Sequence, residues 1–103
     1  MAARQHRVIW TDHAQRMLDE ALTYITRDSL TAAERLLIEA LDAASSLDMF
    51  SERGRVVPEL NQLNIRELFV QRYRLLYEVA PSEVHILAFV HGARDLRRSE
   101  IER

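Results

Sequence analysis

The chain contains no cysteine and no lysine, and it has only two glycines and two prolines among its 103 residues. The absence of cysteine excludes disulfide bonds, thiol catalysis and zinc–thiolate sites together. No apolar run approaches the roughly 18 residues that a membrane-spanning helix needs. The N-terminal stretch MAARQHRVIW lacks the apolar core of a signal peptide. We therefore expect a cytoplasmic protein with no membrane segment, stabilised by packing alone.

The length and composition are those of one ordinary globular domain. A chain of 103 residues, 48% hydrophobic and 29% charged, is large enough for one modest core and too small for two. We expect a single domain over residues 1–103, with its core over about 7–96 and a polar C-terminal tail over 97–103.

Charge is distributed unevenly along the chain. Residues 1–52 hold five arginines and nine acidic residues, whereas residues 53–98 hold eight arginines and five acidic residues. Such a polarised chain hints at partners, though not at a fold. Arginine suits phosphate and carboxylate recognition through its planar fork, but a GC-rich genome would also produce an all-arginine composition. The positions of the arginines must therefore decide between these explanations.

The first half of the chain predicts one strand followed by two helices. The run RVIW (7–10) is β-branched and aromatic, as strands are. Apolar residues then recur at helical spacing after Thr11, a suitable N-cap, and again after TAAE (31–34), which has the spacing of a capping box. The interruption of about four residues between the two stripes predicts an antiparallel helical hairpin.

The second half changes to the period of two that is typical of strands. Strands are predicted at 65–70, 73–79 and 84–90, with a tight connection at 80–83. Residues 91–103 are polar and would either add a short terminal element or fray. The order β-α-α-β-β-β indicates an α+β domain, a small antiparallel-rich sheet with an α-helical hairpin on one face.

Two helices can cover only one face of a small sheet, so we expect the other face to be open. Side chains alternate between the faces of a strand, and the more apolar sets should face the helices. These sets are Tyr73, Leu75, Tyr77 and Val79 on the strand at 73–79, and Val84, Ile86, Ala88 and Val90 on the strand at 84–90. The open face then presents Arg74, Leu76, His85, Leu87, Phe89 and His91. This mixture of apolar and cationic groups is typical of a groove for a partner or substrate. Both sets contain apolar residues, so the pattern also admits the inverted arrangement.

Several motifs in a fixed order point to a family. RVIWTDHA, GRVVPEL, IRELFVQRYRLLYEV and VHILAFVHGARDL together resemble the RelE/ParE superfamily of bacterial type II toxins over residues 7–96. The resemblance implies a β-α-α-β-β-β fold and a cognate antitoxin that wraps the toxin and neutralises it. It also implies one of two activities, since RelE-like members cut messenger RNA on the ribosome and ParE-like members bind DNA gyrase.

The resemblance to RelE-branch nucleases implies catalytic roles for Glu59 as general base and Arg74 as phosphate ligand. His91 lies one residue before the position of the histidine that acts as the general acid in those enzymes. A slip of one residue turns a strand side chain to the opposite face. Phe69 stands where RelE has an arginine, and no tyrosine follows the last strand. Each residue also has a structural interpretation. Arg74 would pair across strands with Glu67 or Glu78, Glu59 would pair with nearby arginines, and His91 would donate to a backbone carbonyl.

The chain is therefore closer to the ParE branch, and we predict a gyrase inhibitor that binds a ParD-like antitoxin in a hetero-oligomer. The predicted partner-binding residues are Arg55, Arg66, Arg74, Leu76, Leu87, Phe89, Arg94, Arg97 and Arg98. The alternative is a ribosome-dependent endoribonuclease acting on messenger RNA, and a third possibility is a toxin fold that has lost toxicity and serves as a regulatory module. No cofactor is expected. No metal site is expected either, because His85 and His91 would lie about 20 Å apart in an unbroken strand and could not share an ion.

Overall fold

A computed structural model describes residues 5–94 and residue 96 of the chain. It confirms the predicted α+β order and adds one short strand, β2. The elements in order are β1 (Arg7–Trp10), α1 (Asp12–Thr26), α2 (Leu30–Ser45), a 3₁₀ turn (Ser46–Asp48), β2 (Arg55–Val56), β3 (Ile65–Val70), β4 (Tyr73–Val79) and β5 (Glu83–His91). Within the described residues, no helix is long and apolar enough to cross a membrane.

Both helices begin at residues whose side chains cap them. The Thr11 hydroxyl accepts a hydrogen bond from the Ala14 amide at 3.1 Å, which confirms the predicted N-cap of α1. The cap of α2 is Ser29, which accepts from the Ala32 amide at 3.0 Å, so this helix begins before the capping box predicted at 31–34. Thr11 also donates to the Ile86 carbonyl at 2.8 Å, which fastens the start of α1 to the sheet.

The five strands form one mixed sheet in the order β1-β5-β4-β3-β2. β1 runs parallel to β5, and the other neighbouring pairs are antiparallel. The helical hairpin packs on one face, where Leu36 from α2 meets Leu75, Tyr77 and Ile86 in the main core. The burial of Leu75 and Tyr77 here confirms that this set of β4 side chains faces the helices.

A β-bulge in β5 reverses the expected alternation of that strand. Ile86 and Ala88 pair with consecutive residues of β4, so Leu87 is an extra residue between them. As a result Phe89 joins Ile86 in the core under the helices, while Ala88 and Val90 lie on the opposite face. The prediction that Phe89 lies on the open face, with Ala88 and Val90 under the helices, is therefore wrong beyond the bulge.

The face of the sheet away from the helices, here called the front face, is largely covered. Leu76 and Leu87 are buried there in a second cluster that includes Leu60 and Leu96. The loop at 57–64 and the chain after β5 supply the cover, because each places apolar side chains over the front strands. The prediction that Leu76, Leu87 and Phe89 are accessible to a partner is therefore wrong, since the fold buries all three.

Candidate functional site

Arg74 lies at the centre of the front face and is held by two carboxylates. Its side chain, on β4, is only 4% exposed. Its Nε donates to Glu67 Oε1 at 2.6 Å, and its Nη1 and Nη2 donate to the two oxygens of Glu59 at 2.8 Å each. A bidentate guanidinium–carboxylate pair of this kind is among the stronger charge-assisted hydrogen bonds. The expectation that Arg74 is presented on an open surface is wrong, because its charge is neutralised inside the fold.

A second arginine completes the group, which we call the ion network: Arg55, Glu59, Glu67 and Arg74. Arg55 and Glu67 are register partners on β2 and β3, and Arg55 Nε donates to Glu67 Oε2 at 2.5 Å. The Glu67 side chain is 0% exposed, so it lies between two arginines without contact with solvent. Burying a carboxylate is tolerated when it is paired and hydrogen-bonded in this way.

The ion network also contacts the chain that follows β5. Arg74 Nη1 donates to the Arg94 carbonyl at 3.4 Å, and Glu59 Oε2 accepts from the Leu96 amide at 3.4 Å. Leu96 itself is buried in the front cluster. Glu59, in the loop before β3, is thereby connected both to β4 and to the chain that follows β5.

The pairing changes the proton affinity of both partners. The hydrogen bonds from Arg74 lower the pKa of Glu59 to about 2, against a smaller opposing effect of burial. The same contact raises the pKa of Arg74 above its usual range. Both groups therefore stay charged throughout the physiological pH range.

The lowered pKa of Glu59 predicts a specific pH dependence of stability. Its ordinary value is 4.5, so its contribution is complete above about pH 5 and is lost as the pH falls towards 2. We expect Glu59→Gln to cost about 1–2 kcal/mol more at pH 7 than at pH 3, a figure that allows for the 26% exposure of the side chain. Urea unfolding of both proteins at the two pH values measures this difference. Equal costs at both values would contradict the assignment.

The structure brings Glu59 and Arg74 together but separates them from His91. His91 is the register partner of Tyr73, and their rings meet edge-on at 5.7 Å on the helix side of the sheet. Arg74 points to the front, so the three candidate nuclease residues do not form one site. His91 was expected on the open face, and the bulge at Leu87 explains why it is not. The structural interpretations of Arg74 as a partner of Glu67, and of Glu59 as a loop carboxylate paired with an arginine, are confirmed.

The remaining predicted arginines differ in their surroundings. Arg66 shares the face of Tyr77 and donates to the backbone carbonyls of Glu52, Gly54 and Leu63, at 3.3, 2.9 and 3.2 Å. It therefore joins the chain on either side of β2 and does not belong to the front face. Arg94 is exposed. Arg97 and Arg98 lie outside the described residues.

Phe69 is an exposed residue that is not among the partner-binding or catalytic residues predicted from the sequence. It is 57% exposed on β3, and the guanidinium of Arg55 lies 5.2 Å from the centre of its ring. Arg55, with 56% of its side chain exposed, therefore has one neighbour in the interior and one at the surface. The alternation of β3 places Phe69 on the same face as Glu67, a signal that was available in the sequence.

A histidine and two glutamates form a separate polar group at the other end of the front strands. His85 Nε2 lies 3.0 Å from Glu83 Oε1, and His85 Nδ1 lies 3.8 Å from Glu78 Oε1. Across residues 5–94 and 96, no three His, Cys, Asp or Glu side chains are arranged to hold a metal ion.

Comparison with known proteins agrees with the fold. The family model for the ParE toxin of the type II toxin–antitoxin system parDE matches residues 8–96. Toxin RelE2 of Caulobacter vibrioides is 39% identical over 88 residues, which cover 84% of this chain and 96% of that relative. A chain of the chromosomal ParDE system from P. aeruginosa superimposes with a TM-score of 0.69 at 17% identity, over 86% of this chain and 98% of that one. At this identity the structural match bears on the fold alone.

Proposed function

Because the chain belongs to the ParE toxin family of type II toxin–antitoxin systems, we propose that it inhibits DNA gyrase by binding and does not cleave RNA. Membership of such a family implies an antitoxin partner. In this proposal a ParD-like antitoxin, encoded alongside, forms a hetero-oligomer with the toxin and neutralises it.

The observation that carries the proposal is the closed ion network. Cleavage of RNA needs a general base that can accept the proton of the 2′-hydroxyl, for which Glu59 is the candidate in this chain, and cations that can hold the phosphate. Glu59 is a weak base near neutral pH, because its pKa lies near 2. Each of the three side-chain nitrogens of Arg74 donates to Glu59 or Glu67, at 2.6–2.8 Å. His91, the candidate acid, lies on the other side of the sheet. These contacts favour a function in binding over one in catalysis.

The exposed part of the front face suits contact with a protein. Phe69 is a large apolar side chain with Arg55 stacked against it, and aromatic and arginine residues of this kind are typical of binding hot spots. Arg94, whose backbone carbonyl accepts a hydrogen bond from Arg74, is also exposed. Because Glu59 and Glu67 already neutralise the two network arginines, this surface has little net charge to attract a nucleic acid backbone.

The ribosome is the competing target, since the relative that is 39% identical is named RelE2. We expect purified toxin to inhibit gyrase supercoiling and to leave messenger RNA intact on translating ribosomes. Phe69→Ala should weaken the inhibition about tenfold or more, which corresponds to about 1.4 kcal/mol of lost binding. Titration of both proteins into the supercoiling assay measures this loss.

A matched control is Tyr24→Ala, which removes an aromatic ring that is 67% exposed on α1, away from the front face. This variant should inhibit gyrase as the parent protein does. Codon-dependent cuts in messenger RNA, together with unaffected supercoiling, would show instead that the protein is a ribosome-dependent endoribonuclease. Normal growth at high levels of toxin without antitoxin would indicate a regulatory module instead.

A further inference from the structure

We infer that Glu59 and Arg74 are positioning residues that fasten the chain after β5 across the front face and so present Arg94 to the toxin's target. The part of the chain concerned, called here the C-terminal segment, comprises residues 92–94 and 96. The fastening is argued from the free toxin, whereas the presentation of Arg94 rests on the proposed function.

The ion pair holds the segment through its backbone. Arg74 donates to the carbonyl of Arg94, and Glu59 accepts from the amide of Leu96, each at 3.4 Å. The two charged side chains thus bind one backbone acceptor, the carbonyl of Arg94, and one backbone donor, the amide of Leu96. Because the contacts go to main-chain atoms, they fix where the segment runs regardless of the side chains it carries.

Two further features support the same course of the segment. The Gly92 amide donates to the Arg72 carbonyl at 2.7 Å, and the Arg94 amide donates to the His91 carbonyl at 3.1 Å, which together turn the chain as it leaves β5. At the other end Leu96 is buried against Leu76 and Val90 in the front cluster. The ion pair lies between this turn and this anchor.

The network is larger than the neutralisation of Glu67 requires. Arg55 already pairs with Glu67, and Glu59 lies in a loop where a carboxylate would otherwise be solvated by water. Exposed ion pairs contribute little to stability, and buried ones carry a desolvation cost. Within the described residues, Glu59 and Arg74 are the members of the ion network that contact the C-terminal segment, and this contact distinguishes their pair from the pair of Arg55 with Glu67. Its role is therefore to set the position of that segment and of the exposed Arg94.

The fastening is tested on the full-length free toxin by amide hydrogen exchange. We expect Glu59→Gln to speed exchange of the Leu96 amide about tenfold more than exchange of the amides in β4. Arg55→Gln is the matched control, because it breaks a bond to the same network without touching the segment, and it should leave this ratio unchanged. An equal change at Leu96 and in β4 would overturn the inference. The test changes Glu59 and not the buried Arg74, because glutamine preserves the volume of the glutamate side chain and the variant is expected to fold.

The presentation of Arg94 is tested by a double-mutant cycle in gyrase inhibition. We expect Glu59→Gln and Arg94→Ala each to weaken inhibition about tenfold, and the double variant to be little worse than either alone. If the loss of inhibition in the double variant equals the product of the two single losses, the two residues act independently and the positioning role is overturned. Glu39→Gln makes the same change at an exposed carboxylate, which accepts a hydrogen bond from Gln71 Nε2 at 3.1 Å, and it should inhibit as the parent protein does.

Failure of the proposed function gives a different pattern of results. A parent toxin that leaves supercoiling unaffected would overturn that function and the claim about Arg94. The fastening would still stand or fall by the exchange at Leu96, which requires no target.

Discussion

Replacement of Arg74 by methionine is expected to lower the free energy of unfolding by about 3–5 kcal/mol, the range found when one partner of a buried ion pair is removed. Methionine can fill the space of the aliphatic part of the arginine, so the loss comes from the charges that remain. Glu59 loses its bidentate partner, and the fully buried Glu67 loses one of its two. Arg55 still pairs with Glu67, which places the expected loss towards the lower end of the range.

Urea unfolding at pH 7 measures this loss, and two further variants serve as controls. Arg55→Met removes an arginine from the exposed side of the same network and should cost about 1 kcal/mol or less. Adding Glu67→Gln to Arg74→Met should recover part of the loss, because the second change removes the carboxylate that the first left underpaired. A loss below about 1 kcal/mol for Arg74→Met would mean that the guanidinium is solvated and that the ion network does not hold in solution.

The faces of a strand could be predicted from the sequence only where the strand is regular. Alternation placed Leu75 and Tyr77 of β4 under the helices, as the structure shows. In β5 the same reasoning fails after Leu87, because one extra residue inverts the direction of every side chain that follows. Nothing in the local sequence, such as a glycine, marks Leu87 as the position of the bulge.

The cover of the front face was beyond prediction for a different reason. The contacts that close it join residues far apart in the chain, such as Glu59 and Leu96, which are separated by 37 positions. No periodicity relates such residues, since they meet only after the sheet has formed. The pairing of Arg74 with Glu67 is one that the sequence does predict, as an alternative to Glu78, because cross-strand neighbours follow from the hairpin itself. The site could thus be predicted as far as the hairpin between β3 and β4 extends.

The hairpin also explains why Gly54→Ala should be the second most damaging of these changes, at about 2–4 kcal/mol. An added Cβ would lie 2.5 Å from the Glu67 carbonyl oxygen and 2.6 Å from the Tyr77 hydroxyl. That hydroxyl is buried, and its burial raises the pKa of Tyr77. It accepts a hydrogen bond from the Gly54 amide at 2.9 Å. Neither neighbour is the free end of a flexible side chain, so β2 must move away from β3.

Gly92→Ala is the matched control, because its Cβ would meet the Arg72 carbonyl at 3.0 Å and a shift of a few tenths of an ångström would relieve it. Neither glycine has a positive φ, so any difference in unfolding free energy between the two variants reports on steric fit rather than on backbone preference. We expect Gly54→Ala to cost at least twice as much, in urea unfolding at pH 7. It should also weaken gyrase inhibition, because displacement of β2 withdraws Arg55 from both Glu67 and Phe69. Equal costs would show that β2 is not held closely against β3. Arg55 would then not connect the buried ion network to the exposed Phe69.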